Sequence, residues 1–176
     1  ILVGTEMSLA YLTNTVACSI MGSLNSLLCI PDFRIEEKIF AIITLLREKT
    51  NNEMYIETSN PSNSMLKYAC SGSIDEYANE QLKLRKKLQY PPFAHFIKVS
   101  RTGSRTAVIQ DMQRFVELTR AYKPRVFSGF IPAQRGATLN AIIRVPAAKW
   151  PNCELQTLLR NLPPSFSVDV DPERTL

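Results

Sequence analysis

The chain is short of histidine and of glycine. Its 176 residues include one histidine and six glycines. The glycines form neither Gly-x-x-x-x-Gly-Lys-Ser/Thr nor Gly-x-Gly-x-x-Gly, so no loop of the kind that cradles nucleotide phosphates is present. The single histidine, His95, stands beside a Pro-Pro pair, which leaves no Ser-His-Asp set; a site needs several convergent groups, so His95 reads as a packed or surface residue. Cysteine is scattered: Cys18, Cys29, Cys70 and Cys153 include no Cys-x-x-Cys pair and none is close to His95. Zinc ribbons and fingers need paired ligands at short spacing, which argues against a metal site made by this chain alone. Four such thiols are expected to be reduced and half-buried, as in a cytoplasmic protein. No apolar run approaches the ~18 residues of a membrane helix, and no signal peptide is visible. The opening Ile1-Leu2-Val3-Gly4, without an initiator Met, reads as the interior of a longer protein.

What is present is an ordinary folding composition with an uneven charge. Apolar residues make up 45% of the chain, enough for a core. Residues 1–82 hold five basic and ten acidic side chains, net −5; residues 83–176 hold sixteen basic and six acidic, net +10; together they give the overall +5. A half that basic fits a polyanionic partner, or else a solvated basic face with no particular partner.

The pattern along the chain separates three parts. Ile1 to Thr5 and Val16 to Met21 are apolar runs of buried-strand type. Pro31-Asp32 opens a helix with Ile35, Ile39, Ile42 and Leu46 on one stripe. Met54 to Thr58 reads as a further strand, and Asn60 to Ser64 as a turn-rich exit. This β-β-α-β order is the start of a parallel α/β sheet, too small for a complete domain. A connector helix follows, opened by a capping box at Ser73-Ile74-Asp75-Glu76. It ends in Arg85, Lys86 and Lys87, which suit either the negative end of the helix dipole or an anionic partner. Tyr90-Pro91-Pro92-Phe93 then makes a stiff corner, since each proline fixes its own φ and biases its predecessor away from helix. Beyond it the order is β-α-β-β-α-β: Phe96 to Ser100, Ser104 to Ala121 with Val108, Met112, Phe115 and Thr119 on one side, Arg125 to Phe130, a loop with Gln134-Arg135-Gly136, Ala141 to Val145, a short helix striped by Leu155, Leu158, Leu159 and Leu162, and a last strand alternating Phe166, Val168 and Val170 with Ser167, Asp169 and Asp171. This is the split βαβ plan of ferredoxin-like domains. Asp169 and Asp171 share an outer face by that alternation, a geometry that fits a magnesium pair but needs no metal to explain it.

Several segments resemble one family. Ile1 to Met7, then Leu24-Asn25 with Ile30-Pro31-Asp32-Phe33-Arg34, Glu37 and Phe40, resemble late helicase segments of the primosomal replication-restart helicases, the PriA family. Glu80-Gln81-Leu82 through Arg85-Lys86 and Leu88, with Tyr90-Pro91-Pro92-Phe93, resembles that family's entry into its C-terminal domain. Phe127 to Ala133 matches loosely, and Val168-Asp169-Val170-Asp171-Pro172 matches closely. The order and spacing of the pieces make the set specific, and it spans essentially the whole chain. Departures are equally specific. Where the family carries Lys-Gly and an ATP-sensing stretch, this chain has Ser8 to Thr13. Where the family carries Gln-Val-Ala-Gly-Arg-Ala-Gly-Arg, it has Leu45-Leu46-Arg47-Glu48-Lys49-Thr50, so the arginine-finger role does not transfer to Arg47 or Lys49.

The resemblance implies an architecture of α/β plus α+β. Residues 1–66 are expected to be a partial RecA-like second helicase lobe. Residues 67–91 are the connector helix and corner, and residues 92–176 a basic βαββαβ C-terminal domain, like a small ribosomal protein in fold. It implies binding to forked or single-stranded DNA during replication restart and primosome assembly, in the cytoplasm, together with single-strand-binding protein and other primosome proteins. ATP, magnesium and zinc are implied only for the full-length family, and this segment alone is not expected to hydrolyse ATP. The expected phosphate contacts are Arg85, Lys86, Lys87, Lys98, Arg101, Arg135 and Lys149. Lys149 and Trp150 are also the expected contact for the acidic tail of single-strand-binding protein, although a tryptophan so placed more often caps a core. Two rival readings stay open: a module that docks primosome proteins without touching DNA, and the end of an active ATP-dependent 3′-to-5′ helicase.

Overall fold

The computed structural model describes residues 1–129 and 136–173, which fall into two units, Ile1–Gln81 and Leu82–Leu176. No helix among the described residues is long and apolar enough to cross a membrane. All four cysteines are free and exposed, not half-buried as the sequence led us to expect.

Unit 1 is organised by two parallel strands, β1 (Val16–Met21) and β2 (Thr50–Ile56). Parallel neighbours require a crossover, here α1 (Leu24–Leu28) and α2 (Ile35–Glu48). Asp32 orders the entry to α2, its carboxylate accepting from the Arg34 N–H at 3.0 Å and from Lys38 Nζ at 3.2 Å. The buried residues of α2 are Ile39, Phe40 and Ile43, with Ile35, Ile42 and Leu46 packed at the margin. The centre of the stripe is thus shifted from the expected one, because further helices pack on this element. α3 (Ser64–Ser71) contributes Met65, Leu66 and Ala69. Near the start of α4 (Ile74–Leu88), Tyr77 stacks on Phe40 with centroids 4.1 Å apart. Asn63 caps α3, its side chain accepting from the Met65 N–H at 2.8 Å, as such residues do at helix N-termini.

The expected strand over Ile1 to Thr5 is not formed. Those residues have no regular structure, Ile1, Leu2 and Val3 are exposed, and Glu6–Tyr11 is a 3-10 helix. A strand exists only through its ladder, and among the described residues the sheet of unit 1 contains β1 and β2 alone. The β-β-α-β expectation therefore becomes a 3-10 turn followed by β-α-α-β.

Unit 2 follows the expected order: β3 (Ala94–Gly103), α5 (Arg105–Leu118), β4 (Arg125–Ser128), β5 (Ala137–Pro146), α6 (Cys153–Arg160) and β6 (Phe166–Val170). The sheet order is β4-β5-β3-β6 and every pairing is antiparallel. Opposed residues in such pairs share a face. Ile97, Val99, Ala141, Ile143 and Val145 form one face and pack with Met112 and Phe115 of α5 and Leu155 of α6. Val108, Met112, Phe115 and Thr119 are buried as the periodicity predicts. The start of α6 is fixed by Asn152, which accepts from the Leu155 N–H at 2.9 Å and from the Tyr122 hydroxyl at 3.2 Å. β5 starts at a tight approach: a Cβ on Gly136, at φ +132°, would lie 2.4 Å from the Gly103 carbonyl oxygen, so only glycine fits there.

Candidate nucleic-acid interface

The corner after α4 is held by its own backbone and by two arginines. Gln89, at φ 53°, turns the chain out of the helix, and the Tyr90 N–H donates to the Arg85 carbonyl at 2.9 Å. The guanidinium of Arg85 reaches forward, Nη1 donating to the Pro91 carbonyl at 2.7 Å. The Pro91–Pro92 peptide is cis. The Phe93 N–H returns to the Tyr90 carbonyl at 2.9 Å, and Phe93 in turn accepts from the Ala147 N–H at 3.0 Å. The Tyr90 ring meets Phe96 edge-on at 5.5 Å. Over both rings lies Arg144, its guanidinium carbon 5.1 Å from one centroid and 5.2 Å from the other. Phe96 and Arg144 are direct cross-strand partners. Arg144 is exposed, while Phe96 beneath it is buried.

The same register lays out the sheet face turned away from α5 and α6. One row across the strands reads Arg125, Ile142, Lys98, Asp169; the next reads Phe127, Asn140, Ser100, Ser167. Arg144 with Phe96 forms the row on the other side. Three cations, Arg125, Lys98 and Arg144, therefore occupy adjoining rows of one face. Asp169 faces Lys98 across the β3–β6 pair and lowers the positive potential on that side. Ser100 Oγ donates to Asn140 Oδ1 at 2.7 Å, and the hydroxyls of Thr102 and Thr138 meet at 2.9 Å.

The residues expected from sequence to touch phosphate are not all collected on this face. Arg85 sits at the corner, and Lys86 and Lys87 are exposed in the last turn of α4. Lys98 is on the face described. Arg101 is on the other one: Nε donates to Asp111 Oδ2 at 2.8 Å, Nη1 bonds the Thr102 carbonyl, and the side chain is only 14% exposed. Arg135 lies outside the described residues. Lys149 is exposed in the 3-10 turn Ala147–Lys149. Trp150 packs against the core of unit 2 with its ring 5.2 Å from that of His95. His95 is itself engaged, Nδ1 lying 2.6 Å from Asp171 Oδ2.

Asp171 also corrects an expectation. It lies past the end of β6 at φ 52°, and its Oδ1 accepts from the Phe96 N–H at 3.0 Å. Asp169 and Asp171 are thus parted, one opposite Lys98 and the other bound to His95 and β3. The sequence reading missed Arg125 and Arg144. Alternation within β5 places Arg144 on the side of Asn140 and Ile142, but only the β3–β5 register places it over Phe96.

In unit 1, Arg47 has a structural partner. Nη1 donates to the Cys70 carbonyl at 3.1 Å and lies 3.5 Å from that of Ala69, satisfying carbonyls at the end of α3. Tyr55 donates to Glu53 at 2.5 Å, and this bond to a carboxylate raises the phenol above its ordinary pKa. Glu80 raises Tyr68 in the same way.

Fold and charge together define a mixed α/β protein of two units with its cations gathered on the second. Its relatives are replication restart proteins, and the chain belongs to the PriA family. It is 32% identical over 127 residues to replication restart protein PriA of Chlamydia muridarum, covering 68% of this chain and 17% of that protein. It is 32% identical over 99 residues to PriA of Borreliella burgdorferi, covering 53% and 15%. It is 34% identical over 104 residues to PriA of Chlamydia trachomatis, covering 56% and 14%. The chain thus spans about a sixth of the length of these curated relatives. No family model matches the chain.

Proposed function

We propose that this chain binds DNA at stalled or branched replication forks as part of a replication-restart protein. The observation that carries the reading is the segregation of charge: of 21 Lys and Arg, sixteen fall in unit 2, against six of 16 Asp and Glu. Lys86, Lys87, Lys98 and Lys149, with Arg85, are the phosphate contacts, joined by Arg125; Arg101 and Arg135 complete the set expected from sequence. Phosphate contacts of this kind give affinity without sequence choice. Residues 1–66 are read as the last piece of a RecA-like second helicase lobe, 67–91 as the connector and corner, and 92–176 as the basic domain. The segment does not hydrolyse ATP by itself, since it carries no phosphate loop and Arg47 is engaged at the end of α3.

The test is a titration of forked DNA at rising salt, with ATP turnover measured in parallel. Affinity should fall steeply, log K changing by roughly −0.7 to −0.9 per unit of log salt for each phosphate contact. Flat affinity would sink the phosphate-contact reading, and ATP turnover by the purified chain would sink the other half. A second reading, docking of single-strand-binding protein, draws on Lys149, exposed beside the partly buried Trp150. Saturable binding of an acidic, phenylalanine-ended peptide that Lys149→Glu abolishes is its expected result.

A further inference from the structure

The face of the unit 2 sheet opposite its helices combines exposed cations with rings. Arg125 and Arg144 are exposed, and Tyr90, Lys98 and Phe127 are half-exposed. A two-residue step along a strand covers about 6.6–6.8 Å and neighbouring strands lie about 4.8 Å apart. Arg144, Arg125 and Phe127 therefore stand at spacings on the scale of consecutive nucleotides. Four strands span about 14 Å between the outer two, wider than the ~12 Å major groove that admits a helix or a two-stranded ribbon. A duplex can meet this face only through its phosphates, whereas an unpaired strand can lie across it with bases against the rings.

We infer that this face seats single-stranded nucleic acid, about two or three nucleotides laid across β5 and β4. Resting on the DNA-binding reading above, the inference names the seat and the residues that form it. Arg144, already placed over Tyr90 and Phe96, extends that aromatic stack to one base, because a guanidinium plane stacks on bases as well as on rings. Phe127 takes a second base. Arg125 and Lys98 face the phosphates between them. Asp169 keeps the strand off the β6 side by repulsion. Asn140, buried and with its carbonyl oxygen engaged by Ser100, and the mutually bonded Thr102 and Thr138 offer little to read base edges, so the seat tolerates any sequence.

The experiment uses the full chain and a labelled oligothymidylate of about a dozen nucleotides, within the range of single-strand site sizes, beside a blunt duplex of mixed sequence. Arg144→Lys keeps the charge but not the planar stack, and Phe127→Leu keeps an apolar side chain but not the ring; a urea melt checks that both remain folded. Each should weaken oligothymidylate binding by roughly tenfold and leave duplex binding unchanged. Lys86→Ala with Lys87→Ala should weaken both. Parental oligothymidylate binding by the two face variants, with weakening by the lysine pair, would overturn the sheet-face seat and leave the DNA reading standing. Equal loss on both nucleic acids would also overturn it. A parental chain that binds neither nucleic acid would remove both readings.

Discussion

Ile20 and Ile143 are both isoleucines inside a strand, yet Ile20 is 76% exposed and Ile143 is fully buried. The difference lies in how many layers each sheet has. In unit 2 the sheet has four strands, and α5 and α6 cover one face, so Ile97 and Val99 of β3 and Ala141, Ile143 and Val145 of β5 enter a core. Among the described residues of unit 1, the parallel pair β1–β2 is covered on one side only, and Ile20 and its partner Tyr55 are exposed on the other. Parallel strands are ordinarily buried on both faces. Unit 2 instead uses its second face for cations and rings. An apolar face left bare and a charged face left bare are different surfaces: water opposes exposure of the first and tolerates the second.

The contrast can be broken most forcefully in the core of unit 2. Ile143→Ala should cost roughly 2–5 kcal/mol in urea unfolding, the usual range for deleting a fully buried isoleucine. Asp171→Ala should cost about 1–3 kcal/mol, because it strands the Phe96 N–H and the His95 ring that the carboxylate holds. Ile20→Ala should change stability by no more than about 0.5 kcal/mol, as for other exposed positions. If Ile20→Ala proves as costly as Ile143→Ala, the two sheets do not differ as described.

Legibility in the sequence followed the same division. In unit 2 the alternation over Phe166 to Val170 and the stripe from Val108 to Thr119 were readable because one face is apolar and the other polar. In unit 1 continuous apolar runs gave no phase. Ile1 to Thr5 looked like Val16 to Met21, and only the lack of a neighbour to pair with separates them. α3 was hidden behind the Asn-Pro-Ser-Asn turn that caps it. At the candidate interface, the place of Lys98 on the face opposite Ile97 and Val99 follows from the alternation of a strand over Phe96 to Ser100. The ion pair of Arg101 with Asp111, which bridges β3 and α5, was not readable, and Arg144 gains its place from register, which a single strand does not encode.

The claim that nucleic acid is held by unit 2 is tested most directly by amide hydrogen exchange of the full chain with and without forked DNA carrying a single-stranded arm. Protection is expected along α4 from Arg85 to Leu88, around the Tyr90 to Phe93 corner, and in β3, β4 and β5, with β1 and β2 unchanged. Protection confined to residues 1–81, or none in β4 and β5, would contradict the account.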